Sequence, residues 1–312
     1  MADVLLSGHR IAPIRTIRAR FDSDMEHEVW TYRLALPMMT VLATYAHAKK
    51  SVCSVLGIKP RYNCLFGDGL SVNGARVRDG AARWPALDAI YNFSEGEGET
   101  GLARVVDNFW MGIRNAQAVR NRLKIAKREL RSAIEKVSKP GEPVRILSLA
   151  AGTAQGVIEV MSRCVQNGID VRALLLDQDE TALRYARELA REYNVADRVE
   201  TRNCNVLFFD REINEKPDII EMMGLVDYLK DKLATTLFRK IRRNLKPNGY
   251  FFTCHVHPNS ESYFMRHVIN WGMRYRRKDE FEDLLISGDF LAPRLITEPH
   301  GIHSIAVAQK AA

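Results

Sequence analysis

Between Ile146 and Gly156 the chain reads ILSLAAGTAQG, an apolar run that breaks into small residues and then opens an amphipathic stretch. Ala150, Ala151, Gly152, Thr153 and Ala154 carry no side chain large enough to hold a ligand off the backbone. A nucleoside lying over the carboxyl ends of a parallel sheet needs that close approach. One crossover downstream, the run ALLL ends in Asp177-Gln178-Asp179. A carboxylate at a strand end can accept hydrogen bonds from both ribose hydroxyls, and Asp177, directly after the apolar run, is placed to do so. Asp179 suits the capping of the helix that follows. The G-x-G-x-x-G spacing that seats a pyrophosphate is missing, since only Gly152 and Gly156 are present. A phosphate-free nucleoside therefore fits better than a dinucleotide.

Groups that could move a proton lie further on. Glu221 closes the apolar run DIIEM, and His255 and His257 end the run YFFTCHVH. Strand alternation puts the two histidines on one face, so both serve a site there or neither does. Spacing supplies no third metal ligand beside them, and no metal is expected. Upstream, apolar residues recur three or four apart from Phe109 to Ile134, which predicts one amphipathic helix over 106–137. Its other faces carry Arg114, Arg120, Arg122, Lys124, Lys127, Arg128 and Arg131. Those charges are either a solvated face or a cationic surface, with Arg114 and Arg120 as candidates for holding an anionic substrate.

The elements that must position these residues follow from texture. After the breaker cluster KPGEP at 139–143, strands are predicted at 145–149, 171–176, 199–203, 218–222 and 250–255. Helices at 157–166, 180–193 and 233–244 alternate with them. Buried apolar strands separated by helices imply βαβ crossovers and a parallel sheet. The segments 294–297 and 304–308 can close it as a hairpin. The expected fold is α/β, a doubly wound, mostly parallel seven-stranded sheet in residues 141–312, preceded by a helical lid in residues 1–140. Residues 25–55 read as a further helix, and EGEGETG at 95–101 as an acidic, hinge-like loop.

The chain has 312 residues, 46% hydrophobic and 27% charged, with a formal net charge of +8. That excess is compatible with an acidic partner, but no run of five or six like charges marks a polyanion-binding tract. Five scattered cysteines without CxxC spacing argue against a zinc site or a disulfide framework and suit a reducing cytoplasm. The N-terminal arginines Arg10, Arg15, Arg18 and Arg20 lack the apolar core of a secretory signal. The longest apolar stretch, near 34–46, is too short to span a bilayer.

Taken in order, these motifs resemble the class I S-adenosylmethionine-dependent methyltransferases over about residues 144–256. The resemblance rests on the small-residue loop at 150–154, on DQDETAL at 177–183 and on NCNV with Asn205. It continues in DIIEM at 218–222, GLVDYL at 224–229 and NLKPNG at 244–249. It implies S-adenosylmethionine as cofactor, cradled by Ala150, Gly152, Thr153 and Ala154. Asp177 and Gln178 would lie at its ribose, and Asn205, Val206 and Met222 around its adenine and methyl ends. Two departures stand out: Ser148 replaces the acid usual in the first strand, and Ala150 and Ala154 stand where glycine is common.

No Asn/Asp-Pro-Pro-Tyr/Phe tetrad follows the fourth strand, and no cysteine pair suits pyrimidine C5 chemistry, so nucleic acid is an unlikely acceptor. The stretch 255–284, with Tyr263-Phe264-Met265 and WGMRYR at 271–276, resembles a bacterial branch of small-molecule methyltransferases that form methyl esters of hydroxylated fatty acids. This implies an oxygen acceptor; the expected reaction is methyl transfer to an oxygen or a nitrogen of a small metabolite, one that can bear a carboxylate, with Arg114, Arg120, Tyr263 and Arg274 contacting it. His255, Glu221 or His257 would then take the proton. An RNA-associated methyltransferase or RNA-binding protein using the basic helix and a noncatalytic cofactor-binding regulatory subunit are the competing readings, and a homodimer is the assembly to test.

Overall fold

The computed structural model describes residues 25–27, 30–94 and 100–311. The N-terminal arginines and most of the acidic loop, at 95–99, lie outside the described residues. Among the described residues five α-helices precede the sheet: α1 (Trp30–Val55), α2 (Val72–Asp79), α3 (Trp84–Tyr91), α4 (Gly101–Met111) and α5 (Arg114–Val137). The sheet region follows as β1 (Val144–Leu149), α6 (Gln155–Gln166), β2 (Val171–Asp177), α7 (Glu180–Glu192), β3 (Val199–Asn203) and β4 (Ile219–Met222). Then come α8 (Asp231–Asn244), β5 (Tyr250–Val256), α9 (Ser262–His267), α10 (Lys278–Ser287), β6 (Arg294–Thr297) and β7 (His303–Gln309).

The strands form one sheet in the order β3-β2-β1-β4-β5-β7-β6. The first five are parallel, while β7 runs antiparallel to both β5 and β6, the expected closing hairpin. The chain leaves β1 toward β2 and β3 and returns on its other side as β4. A crevice opens at such a reversal, above the carboxyl ends of β1 and β4. Side chains from α6 and α7 pack with Ile146, Ala173 and Ile219 on one face of the sheet, which α5 also covers. Helices α8 and α10 pack with Leu147, Ile220 and Phe251 on the other. Alternation along each strand thus decides which layer every site residue meets.

The single helix predicted over 106–137 is two helices. Helix α4 stops at Gly112, and Ile113 is extended (φ −64°, ψ 158°) before α5 begins. A Cβ at Gly112 would overlap the Tyr32 hydroxyl, so glycine at the bend makes room for that group. The apolar spacing runs through the break in phase, which is why periodicity alone did not reveal it. Likewise α1 begins at Trp30 rather than near Met25.

Helices α1–α5 are fastened to the sheet region by a shared hydrophobic cluster. It joins Met39, Ala43, Ala46, Trp110, Met111 and Val119 to Val256, Phe264, Met265, Trp271 and Ile302. Trp110 stacks on Phe264 with ring centroids 4.6 Å apart and planes at 14°. The outward side of α1 is also apolar: Leu34, Met38, Val41, Tyr45, Val52 and Val55 are all exposed. Among the described residues no helix is long and apolar enough to cross a membrane.

Candidate active site

The loop after β1 is built from left-handed backbone. Ala150 (φ +52°), Gly152 (φ +54°) and Ala154 (φ +49°) alternate with ordinary residues. A non-glycine residue in that region costs roughly 1–2 kcal/mol, so the two alanines keep the loop's shape at a cost rather than changing it. Asp177, at the end of β2, ties the loop down: its Oδ2 accepts from Gly152 N at 2.8 Å, and its Oδ1 from Asp179 N at 2.9 Å. A carboxylate has about four acceptor positions, so two remain for the hydroxyls of a ribose. Asp179 caps α7 by accepting from Thr181 N at 2.9 Å, the division of roles expected for this pair.

The cap of α6, Ala154, offers no side chain to its first backbone N–H groups, and Gln155, Gly156 and Val157 line the cavity beside it. An uncapped helix start is suited to a carboxylate such as the amino acid end of S-adenosylmethionine. Asn205 caps the turn after β3 by accepting from Leu207 N at 3.0 Å, and together with Val206 and Gln178 it lines the far end of the same cavity. The small-residue bend, the strand-end carboxylate with free lone pairs and the open helix start fit a phosphate-free amino acid nucleoside.

This cavity, about 780 Å³, continues from Asp177 past the bend and under α5. The volume lies in the upper part of the roughly 300–1,000 Å³ range of ligand sites. Its second half lies over β4 and β5. A wall of Trp110, Met111, Phe264, Met265, Trp271 and Met273 surrounds a small polar floor there. The floor comes from strand positions that face α5. Ser148 on β1 pairs in register with Glu221 on β4, and its hydroxyl donates to Glu221 Oε2 at 2.5 Å. Burial pushes the Glu221 carboxyl up to about 7, while the Ser148 hydrogen bond and the charge of Arg122 oppose that rise. Cys254 on β5 shares the face, and burial raises its thiol to about 11, so it stays neutral. His303, the first residue of β7, also lines the cavity. Burial above all, then the charge of Arg122, holds its ring well below the ordinary value and therefore neutral.

Several sequence candidates stand elsewhere. Cys254 faces α5, so by alternation His255 and His257 face the opposite layer and do not line the cavity. His255 lies against Phe281 of α10, with Nδ1 2.8 Å from Asp227 Oδ1. Both His257 nitrogens are engaged, Nδ1 with Arg276 O at 2.8 Å and Nε2 with Ser304 Oγ at 2.7 Å. Met222 packs among α8 and β5, and its neighbour Met223 is the one on the cavity wall. Arg114 donates to Ser260 Oγ and His300 O, and Arg120 makes a two-pronged pair with Glu26. Neither reaches the cavity. Tyr263 is 42% exposed, against the rings of His47 and His267. Arg274 is exposed, and among the described residues only its backbone N–H is held, by Asp227 O at 2.8 Å. Trp271 and Tyr275 lie on irregular chain rather than a helix, with Trp271 Nε1 donating to Tyr228 Oη at 2.5 Å.

The basic helix is not a free cationic surface. Lys124, Arg128 and Arg131 sit beside Glu26, Glu129 and Glu135. Lys127 is buried against Glu159 at 2.7 Å, with Gln155 Nε2 donating to the other oxygen of that carboxylate. Sequence reasoning also missed Trp84 of α3. Its Cβ lies near Gly152, its Nε1 donates to Thr181 Oγ1 at 2.9 Å and its ring lies against Tyr185. A tryptophan that starts a short helix carries no local sign of the loop it will cover.

The fold is that of a class I S-adenosylmethionine-dependent methyltransferase. Residues 51–310 match the model of a family described as "Putative methyltransferase", and the chain belongs to that family. The match runs from the second half of α1 to the end of β7, so helical region and sheet belong to it together. Among solved structures the chain is similar to a "possible exported protein" from Bordetella parapertussis, at 17% identity and TM-score 0.65. That likeness covers 92% of this chain and all of the other. It is also similar to the methyltransferase domain of citrinin polyketide synthase, at 14% identity and TM-score 0.54, over 80% of this chain and 67% of that one. The S-adenosylmethionine-dependent methyltransferase SibL resembles it at 16% identity and TM-score 0.50, over 77% and 69%. At these identities the likeness is one of fold. No curated protein matches the chain.

Proposed function

We propose that the chain transfers a methyl group to an oxygen of a small, largely apolar metabolite. When bound, S-adenosylmethionine supplies an electrophilic methyl group. Asp177 would grip its ribose, the bend at 150–154 its amino acid portion, and Asn205 and Val206 its base. The observation that supports an oxygen acceptor is Glu221, a cavity-facing carboxyl pushed up to about 7 and held by Ser148. A general base works best when its proton affinity sits near the working pH. Glu221 meets that condition at the acceptor end of the cavity, while Asp177 stands at the other end. The aromatic and methionine wall excludes water, which strengthens every charge interaction at the floor.

Nucleic acid is not favoured as acceptor, because the basic helix is paired or buried along most of its length. The five free cysteines, four of them buried, support a reducing compartment. The test is methyl-labelled cofactor incubated with a metabolite extract and either wild type or Glu221→Gln. Label entering an organic-soluble product with wild type, and at least a hundredfold more slowly with the variant, supports the reading. Label entering RNA or protein instead, or entering a hydroxyl-derived product equally with both enzymes, would refute it.

A further inference from the structure

A buried positive charge inside the cavity lacks a close counter-ion. Arg122 projects from α5 into the acceptor half and is 4% exposed. Its Nη2 donates to Tyr91 Oη at 3.0 Å and its Nη1 to Cys254 Sγ at 3.7 Å. Among the described residues no carboxylate lies within 4 Å of it, whereas Arg120, Lys124, Lys127, Arg128 and Arg131 on the same helix each have one. Neither contact is a carboxylate, and burial keeps the Cys254 thiol neutral. The carboxylates that feel it most, Glu221 and Asp227, stand farther off, and the first is only partly ionised near neutrality. Taking a guanidinium out of water is costly unless an anion with matching geometry meets it, and five N–H donors are more than two partners use.

Two further observations point the same way. His303 is 2% exposed on the cavity wall, and its Nδ1 has no hydrogen-bond partner among the described residues. Gly224, which follows β4, would carry a Cβ 3.9 Å from Arg122 Nη1, so as glycine it puts no side chain against the guanidinium. Position excludes the cofactor as the obvious counter-ion. Its ribose site is at β2, and the open start of α6 at β1 suits its carboxylate. Arg122 lies instead over β4 and β5, beside Glu221.

We propose that Arg122 is an oxyanion anchor: the acceptor carries an acidic oxygen, carboxylic or phenolic, that docks as its anion on the guanidinium with Tyr91 alongside, its apolar body in the aromatic wall. This deepens the methyltransferase reading and rests on it. For a hydroxyl acceptor the O–H bond breaks, its proton passes to Glu221 and the electron pair stays on an oxygen facing Arg122. That oxygen then bonds the methyl carbon as the methyl–sulfur bond breaks, and Glu221 later returns the proton to solvent. A carboxylate acceptor arrives without the proton and needs no base. Either product is neutral at that oxygen, so methylation cancels the attraction that held the substrate.

The test is equilibrium binding to the full chain saturated with S-adenosylhomocysteine. The probes are naphthalene-2-carboxylate, its carboxamide, and 2-naphthol, whose absorption band moves on ionisation. Wild type is expected to bind the acid at least tenfold tighter than the amide, or to ionise bound naphthol at least one pH unit lower than in buffer. The first outcome assigns a carboxylate source and the second a phenolic one. In Arg122→Gln both effects should vanish while affinity for S-adenosylhomocysteine is unchanged. A preference that survives in Arg122→Gln, or neither effect in wild type, overturns the proposal. So does a tenfold loss of S-adenosylhomocysteine affinity in the variant, which would give Arg122 to the cofactor. If Arg122→Gln does not fold, Tyr91→Phe should weaken the acid preference severalfold, and an unchanged preference there overturns it equally. Failure of wild type to bind S-adenosylhomocysteine at all would instead sink the methyltransferase reading.

Discussion

Replacing Glu221 by glutamine should make the protein more stable and, at the same pH, nearly inactive on a hydroxyl acceptor. Glutamine copies the protonated carboxyl in shape and charge. The carboxyl ionises at an ordinary 4.5 in the unfolded chain and at about 7 in the folded one. A raised folded value means the native state holds the proton more tightly, so this group's stabilising contribution is complete below pH 4.5 and is lost as pH rises through 7. The gap converts, at ~1.4 kcal/mol per tenfold in proton affinity, to roughly 3 kcal/mol. Water entering the cavity reduces this to about 2 kcal/mol. Above pH 8 the variant should therefore melt a few degrees higher than wild type, by roughly 2–4 °C per kcal/mol or somewhat less in a chain of this length. At pH 4.5 the two should coincide. Removing the base should lower kcat by about 10²–10⁴-fold, and the rise of wild-type rate through pH 7 should be absent from what remains. Thermal melts across pH with a labelled-methyl assay read both. A melting difference that does not change with pH, or a variant within threefold of wild-type kcat on a hydroxyl acceptor, would refute the reasoning.

Three other outcomes follow from named contacts. Asp177→Ala should weaken S-adenosylhomocysteine binding by well over tenfold in calorimetry, since it loses the ribose acceptors and the Gly152 tether together; wild-type affinity would remove Asp177 from the site. Lys127→Met leaves Glu159 buried and unpaired, for which about 3–5 kcal/mol of destabilisation is expected by denaturant titration. Adding Glu159→Leu should recover most of it, and a silent single variant would show the pair is not buried in solution. On α1, the exposed residues Leu34, Met38, Val41, Tyr45, Ala48, Val52 and Val55 alternate by four and three, the spacing a second helix of like period requires. Light scattering is expected to give twice the chain mass for wild type and the single mass for Val41→Glu/Val52→Glu; a wild-type monomer would discard the homodimer.

What could be read from the sequence was local or periodic. The bend at 150–154, Asp177 after its apolar run and the capping Asp179 are consequences of strand-to-helix geometry, which a few adjacent residues encode. Strand alternation correctly tied His255 and His257 to one face, but nothing in the period says which face α5 will cover, and they fell on the other. The same ambiguity moved Met222 off the wall and left Met223 on it. On α5 the charges looked alike. Only the packed structure distinguishes Arg120, paired with Glu26, from Arg122, turned inward without a carboxylate. His303 carried one faint sign, a polar residue in phase with Ile305 and Val307, which pack on that face. Its partners come from elements far away in sequence.

The wall of the acceptor half is also the seam of the molecule. Trp110, Met111, Phe264, Met265 and Trp271 both enclose the ligand space and belong to the cluster that fastens the helical region to the sheet. A substitution that reshapes this wall for a different acceptor therefore loosens the joint as well, with the 3–5 kcal/mol typical of a truncated core aromatic at risk. Lineages that change acceptor would do so at lower risk from the mouth of the cavity. There Ala82, Arg83 and Leu233 touch the space but are exposed and lie outside the cluster.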